Sequence, residues 1–494
     1  MLKRSIFVIF LFVISIIIGL NLFSSRGHHS IGLITPDTFN FITLIGACIG
    51  IALVLVFKRQ IIDMISKIHS VFLVAAVLLF SVFLQLAVIR LFGVNPSWDF
   101  GVIVNSAKHL LATGELTDYF IKYPNNILLV SMLALVGKIF TPDLLIYQAV
   151  NVVLITLSQY FIYRITSKVA GHATGVLSLF VSVSFFPYIF FAPIVYTDTI
   201  SLLFLLIPLN LLIDRNGDFR NHLFIIITAS IFFSLGMILK GSLIIFIIAL
   251  SIVLFIFQKK WKKTLFILPL LTLLIVKLCF NFFIYESGMI DKQQVQKYSF
   301  PVTHWIVMGQ NDVSNGKYLK EDFLMTDQLL KTTTREQVRE AHLNELMSRL
   351  KEKGWKGNIQ FIIQKLTHTW TDGTYYSLNK LKRDPIIPEN FTRLVDFKSG
   401  QLVLGYARIQ HIILLAGLFF IARLKNQNEF FTFSMLAVIG FFLFFILWEA
   451  RSRYLVSLTP LLIMISCIGY FGINKKQAVS SENEKKELHH NTIS

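Results

Sequence analysis

The 494-residue chain is 55% hydrophobic and only 15% charged, with a mean hydropathy of +0.67. Soluble proteins average about 25% charged residues, so a soluble globular fold is excluded. The formal charge of +18 does not signal nucleic acid, because the basic residues stand in short runs between apolar blocks, such as Lys58-Arg59 and Lys259-Lys260-Trp261-Lys262-Lys263, the positive-inside pattern of cytoplasmic loops.

The apolar blocks run for roughly 15 to 23 residues, long enough to cross a hydrocarbon layer ~30 Å thick. They do not alternate as β-barrel strands do. The chain therefore reads as an all-α polytopic membrane protein. Cys48, Cys279 and Cys467 lie in apolar blocks and form no CxxC pair, which indicates neither a disulfide framework nor a zinc site.

In chain order, Lys3-Arg4 precedes an apolar stretch ending at Phe23. Its length exceeds the usual signal-peptide core of about 7–15 residues, and no small-residue cleavage site follows, so it reads as an uncleaved first span. Spans over 5–23 and 39–57 place two extra N-terminal crossings within residues 1–69. A third span over 70–92 opens the catalytic core of 70–284 and delivers an outer loop, 93–126. The stretch 127–140 is short and contains Lys138. If it crossed, the basic loops around Arg164 and Arg215 would face outside, so it reads as a re-entrant or interfacial helix. Spans follow over 144–162, 173–191, 199–213, 221–238, 242–257 and 264–284. The polar segment 285–405 is far longer than an ordinary connection and reads as an α-rich extracytoplasmic domain. Spans over 407–423, 430–447 and 454–473 complete a set of about twelve without an internal repeat. Residues 474–494 read as a disordered cytoplasmic tail. Both termini fall in the cytoplasm of a cell-membrane protein.

Four outward-facing features sit at span edges. Trp98-Asp99 opens the first outer loop, where Asp99 is either a helix N-cap or a general base. Tyr196-Thr197-Asp198-Thr199 offers a second acid, Asp198: either Thr197 or Asp198 caps the following span, or Asp198 faces the same cavity and orients the acceptor or holds a positive partner of Asp99. Lys240 lies between two apolar blocks, where a lysine is costly unless it snorkels or finds a partner. Trp448-Glu449-Ala450-Arg451-Ser452-Arg453 places two arginines at an outer edge; their fork suits phosphate, while Glu449 is available to pair with one of them. Acids and cations at the outer surface suit a sugar on a polyprenyl phosphate: departing phosphate charge is stabilised by Lys and Arg, and a carboxylate takes the proton of an attacking hydroxyl. No Walker motif, GxGxxG or HExxH stands in a credible context.

The pattern resembles the GT-C superfamily of integral membrane glycosyltransferases, in particular the bacterial branch similar to protein O-mannosyltransferases and lipid A aminoarabinose transferases. The resemblance rests on Trp98-Asp99, Lys122-Tyr123-Pro124, Tyr196-Thr197-Asp198, Leu239-Lys240-Gly241-Ser242 and Arg451-Ser452-Arg453-Tyr454-Leu455, and spans most of 70–470. It implies a GT-C-like bundle, Asp99 as catalytic base and Asp198 as second acid. It also implies a lipid-phosphate site from Lys240, Arg451, Arg453, Lys122 and Tyr123, and substrate contact by His304, Trp98 and Glu449. The chain differs in having two spans ahead of the family's usual first one, and in having Phe100 rather than an acid after Asp99. The implied partners are a polyprenyl-phosphate-sugar donor, membrane lipid and a hydroxyl acceptor on a glycan, lipid or protein, with an inverting transfer. No cofactor is required, and the superfamily leaves divalent metal use open. The alternative is a transporter or flippase of lipid-linked sugars. Such a protein should carry inverted repeats and polar residues mid-membrane, whereas the charges here gather at span edges.

Overall fold

A computed structural model describes residues 2–23, 35–68, 70–396, 398–423 and 428–472. The tail 474–494 lies outside these residues. The structure is 83% helical, and no strand occurs among the described residues beyond two isolated bridges, Val94–Pro385 and Ile213–Phe219. The helices that organise it are α1 (Leu2–Phe23), α2 (Pro36–Ser66), α3 (Ser70–Phe92), α4 (Trp98–Thr113), α5 (Ile127–Ile139), α6 (Leu144–Ala170), α7 (His172–Val183), α8 (Thr197–Leu212), α9 (Leu223–Leu239), α10 (Ile244–Phe257), α11 (Leu268–Glu286), α12 (Arg335–Trp370), α13 (Lys398–Phe420), α14 (Glu429–Leu447) and α15 (Thr459–Phe471). Eight helical stretches among the described residues are long and apolar enough to cross a membrane, and five apolar helices are shorter.

Hydrogen bonds sort the helix ends into two groups. At one end, Asn21 near the close of α1 donates to Trp370 O, and Arg408, midway along α13, donates to Asn21 O and to Thr43 of α2. Asn151 of α6 donates to the carbonyls of Phe191 and Ala192 just ahead of α8. At the other end, Lys168 closes α6 against the last carbonyls of α8, through Asn210 O and Ile213 O. Asn428 ties the start of α14 to Gly217 O, and Lys3 lies over the Phe257 ring at the end of α10. Successive long helices therefore alternate in direction, and the four shorter helices α7 to α10 keep that alternation.

The fifth short helix does not. Helix α5 starts beside α4's first turn and finishes where α6 begins: a Cβ on Gly137 would sit 2.8 Å from Tyr147 Oη and 2.9 Å from Leu111 Cδ1. Helices α4 and α5 thus run side by side at the first end, as a re-entrant or interfacial element does.

Packing is graded. The window around α15 is 94% buried, that around α2 17%, so α15 is the central post and α2 lies at the periphery, with apolar side chains such as Val56 and Ile49 facing outward. Close approach at the post uses small residues: a Cβ on Gly469 would lie 2.0 Å from Gly417 O of α13. The polar segment 285–405 shares this core. Leu366, Trp370, Tyr375, Leu378 and Leu381 belong to the same buried cluster as the apolar helices. Helix α12 turns toward that core at Gly354, whose φ of 60° breaks the helical ladder.

Span limits shift where charge or turn chemistry intervenes. Helix α2 continues past Lys58-Arg59 to Ser66, because long cationic side chains reach the edge while their stems stay on the apolar surface. Helix α13 starts at Lys398, nine residues before the expected limit of 407, and buries Arg408 among polar partners on α1 and α2. The block 173–191 breaks at Ser184, and Pro187 opens a separate one-turn helix, Phe186–Phe190.

Candidate functional site

Asp99 lies in the first turn of α4. Ahead of it, Trp98 adopts φ +52°, a left-handed conformation that costs roughly 1–2 kcal/mol outside glycine. A strap holds the turn: Asn95 N donates to Asp384 O at 2.8 Å, Ile386 N donates to Gly93 O at 2.8 Å, and the Arg383 guanidinium lies 5.3 Å from the Trp98 ring centre. The Asp99 carboxylate is half-buried and accepts from two phenols, Tyr119 (3.3 Å) and Tyr196 (3.4 Å). Burial, then the Asp99 charge, push the Tyr119 phenol above the ordinary tyrosine range, so it stays protonated and keeps donating.

Beneath Asp99 lies a charged floor. Asp198, 1% exposed, pairs with Lys240, 6% exposed, at 2.8 Å; Arg453 Nη1 is 3.9 Å from its other oxygen. Asp198 thus holds a cation, one of the roles open to it in the sequence. Lys380 completes the floor. It is 3% exposed, lies 4.7 Å from the Tyr196 ring centre, and its Nζ has no hydrogen-bond partner; neither do Nε and Nη1 of Arg453. Burial, then Arg453, hold the Lys380 ammonium well below the usual lysine range. A nearby anion would restore its charge. Lys240 and Arg453 against one floor carboxylate leave the floor positive even before Lys380 is charged.

Arg451 and Glu449 sit higher. Arg451 donates to Glu449 at 2.9 Å and to the Tyr376 hydroxyl, while Tyr454 donates to Glu449 at 2.8 Å. The tight turn that supplies Tyr376, and leads into the short helix Ser377–Leu381 carrying Lys380, is built on Asp372. Its carboxylate accepts from Thr374 N, Tyr376 N and Ser452 Oγ, which fixes Tyr375 and Tyr376 at φ +50° and +68°.

Contacts around this floor close on themselves. From Asp99 they pass through Tyr119 to Tyr123 (ring centres 4.8 Å apart), Trp305 (6.2 Å) and Trp448 (6.4 Å). From Trp448 they pass through Phe444 (5.3 Å) to Tyr454 (6.2 Å). Arg453 then bridges Tyr454 and Tyr196, 5.4 and 5.3 Å from their rings, and Tyr196 returns to Asp99.

The structure thus brings together Asp99, Asp198, Lys240, Arg451, Arg453, Tyr123 and Glu449. Two other predicted residues point elsewhere. Lys122 pairs with Asp327 of the long segment and lies over Phe323. His304 is buried in the long segment, its Nδ1 2.7 Å from Thr326 Oγ1, which also meets His342; burial, then His342, lower its pKa to about 3, so it stays neutral. Trp98 is 69% exposed at the rim of the turn. Sequence reading missed Lys380, Tyr119, Tyr376 and Asp372. The sole signal was the run Trp370 to Tyr376, dense in aromatic, Gly, Thr and Asp residues within a polar segment. Among the described residues, no group of three or more His, Cys, Asp or Glu side chains is placed to hold a metal ion.

The fold and the two sorted helix ends define a polytopic, all-helical integral membrane protein with a charged site at one end of its bundle. A family model described as conserved hypothetical integral membrane protein matches residues 1–471, and the chain belongs to that family. A search of curated proteins finds no match.

Proposed function

We propose that the protein is a glycosyltransferase that moves a sugar from a polyprenyl-phosphate donor to an acceptor hydroxyl, on a GT-C-like scaffold at the outer face of the cell membrane. The observation that carries the reading is the cationic floor of Lys240, Lys380 and Arg453, joined through Tyr196 to a carboxylate that accepts from two phenols. A lipid phosphate at the bundle's end meets the cations, and its sugar lies toward Asp99. The acceptor oxygen forms a bond to the anomeric carbon as Asp99 takes its proton. The bond from that carbon to the phosphate oxygen breaks, and the electron pair leaves on the phosphate, where fixed cations stabilise the developing charge. Attack from the face opposite the phosphate inverts the anomeric centre. Orientation is supported by charge: Lys3, Arg4, Lys168, Lys259 and Lys260 gather at the end away from the site, which the positive-inside rule assigns to the cytoplasm.

The test is transfer from radiolabelled polyprenyl-phosphate sugars by protein in nanodiscs. Asp99→Asn is expected to lower turnover by about 10²–10⁴, the usual range for a general base, with normal protein levels. Unchanged turnover in that variant removes Asp99 from the reaction. A wild type that transfers no sugar but moves labelled lipid across the bilayer replaces the transferase with a flippase.

A further inference from the structure

Helix α12 has two halves that meet at Gly354. The second half, about 25 Å long at ~1.5 Å per residue, is held at both ends against the same last turn of α14. Near its start Lys353 donates to Gln310 O (2.8 Å), and the Gln310 side chain donates to Ile446 O (2.7 Å). Further along, Lys365 donates to Ile446 O as well (3.3 Å). At its close the Trp370 ring lies 6.3 Å from Phe445, and Trp370 O accepts from Asn21 near the end of α1. A helix descending between the crossings would leave that level within about two turns. This one lies across the ends of α14 and α1, on the side of the bundle that holds the site. It is amphipathic along that course: Trp355, Ile359, Ile362, Ile363, Leu366 and Trp370 recur at the spacing of one helical face, and Lys353, Gly357, Gln360, Gln364 and His368 occupy the opposite face. The apolar stripe is covered unevenly. Leu366 and Trp370 are buried in the core shared with the crossing helices, and Ile362 packs against it. Trp355, Ile359 and Ile363 are 81%, 41% and 49% exposed.

We infer that the open part of this stripe is a membrane-contact surface: Trp355, Ile359 and Ile363 seat α12 in the leaflet at the site end of the bundle, against phospholipid acyl chains. The argument is one of direction. Leu366 and Trp370 point into the apolar crossings, so the same face farther out points the same way, past the bundle's edge, where lipid surrounds a crossing bundle. The turn of α14 that α12 crosses continues that surface with exposed Leu443 and Leu447, on a helix apolar enough to span the membrane. An amphipathic helix lying in this plane buries its apolar face roughly 5–10 Å into the boundary between headgroups and acyl chains. Trp355, at the outer end of the stripe, has the amphipathic ring that anchors at headgroup level. Exposed Lys351 and Lys356 flank it, and their long side chains can carry ammonium groups up to lipid phosphates. The inference does not depend on the transferase reading. It makes residues 355–370 part of the membrane-seated body rather than of a domain standing clear of it.

The test is site-directed spin labelling of the full-length protein, one copy per nanodisc of phosphatidylcholine and phosphatidylglycerol. The background has exposed Cys48 and Cys279 replaced by serine and keeps buried Cys467. Nitroxides are attached to Trp355→Cys, Ile359→Cys and Ile363→Cys on the stripe and to Gln360→Cys on the polar face. All four positions are exposed, so the label is accommodated without repacking. Oxygen, which concentrates among acyl chains, and a water-soluble nickel chelate serve as the relaxing agents. The oxygen-to-nickel accessibility ratio at the three stripe positions is expected to exceed that at Gln360→Cys roughly fivefold or more, as for an interfacial helix with one face in lipid. Equal ratios on both faces, with nickel reaching each, mean that water covers the stripe and overturn the inference. Stripe labels closed to both agents mean that protein covers it, and overturn the inference as well. Spin–spin broadening confined to liposomes that hold many copies, with the stripe closed to oxygen there, makes the cover a second copy of this chain rather than lipid.

Discussion

The Asp198–Lys240 pair sets a sharp expectation. Its two side chains are 1% and 6% exposed and 2.8 Å apart, so solvent screens them little. Removing one member of a buried pair costs about 3–5 kcal/mol, chiefly because the other charge is stranded. In Lys240→Met the stranded carboxylate still has Arg453 at 3.9 Å, which points to the lower figure, about 3 kcal/mol, or a hundredfold in the unfolding equilibrium. Asp198→Asn is the harsher change, since it leaves Lys240, Lys380 and Arg453 without their shared carboxylate. The double variant should lose less than the sum, with a coupling energy of about 2–3 kcal/mol. The assay is SDS-driven unfolding in mixed micelles, read by a thiol dye on buried Cys467 in a background with the exposed Cys48 and Cys279 replaced by serine. A coupling energy below about 0.5 kcal/mol, the size of an exposed pair, would refute the buried-pair reasoning.

Three further outcomes follow from the geometry. Lys380→Met should raise the donor KM roughly tenfold or more, as loss of a charged hydrogen-bond donor does, while Lys380→Arg should restore part of it; an unchanged donor KM in both would take Lys380 out of the phosphate site. Gly469→Ala should destabilise by about 1–3 kcal/mol through overpacking, since its Cβ would meet Gly417 O at 2.0 Å, whereas Gly19→Ala, with nothing within 4 Å, should be neutral; equal midpoints would contradict the close crossing of α13 and α15. Lys365 is fully buried and donates to Gly309 O and Ile446 O, and burial lowers its pKa to about 7. Between that value and the ordinary lysine value the unfolded chain holds the extra proton, so this group's contribution to stability rises with pH, by up to about 1.4 kcal/mol per unit. Lys365→Met should flatten the stability profile above pH 7, and an unaltered slope would show that Lys365 does not titrate there.

The bundle was legible because length and hydropathy set a crossing helix almost alone. The stretch 127–140 was expected at the outer edge because of the sides that a crossing would have imposed on Arg164 and Arg215, and the structure lays it alongside α4. Limits were less so: Lys58 and Arg59 read as an end, yet their stems lie along the helix, and Arg408 is masked as a charge by partners on α1 and α2. Within the site, Asp99, Asp198, Lys240 and Arg453 were visible as charges out of place at apolar edges. Lys380 was not, because a lysine in a polar segment looks ordinary until the chain folds it beneath Tyr196. Lys122 misled for the converse reason: its neighbour in sequence, Tyr123, faces the site, while its own partner, Asp327, lies some two hundred residues away.

The pairing of Asp198 with Lys240 also bears on how the chain is made. The two charges flank consecutive helices, α8 and α9, so they leave the ribosome about forty residues apart and can neutralise each other as a hairpin enters the bilayer. Arg453 emerges more than two hundred residues later, and the ring-bearing segments Trp305 and Trp448 also follow α9. The machinery that inserts the early hairpin therefore handles a self-compensated unit. The excess positive charge of the floor is added only afterwards, first by Lys380 and then by Arg453 just ahead of the last crossing.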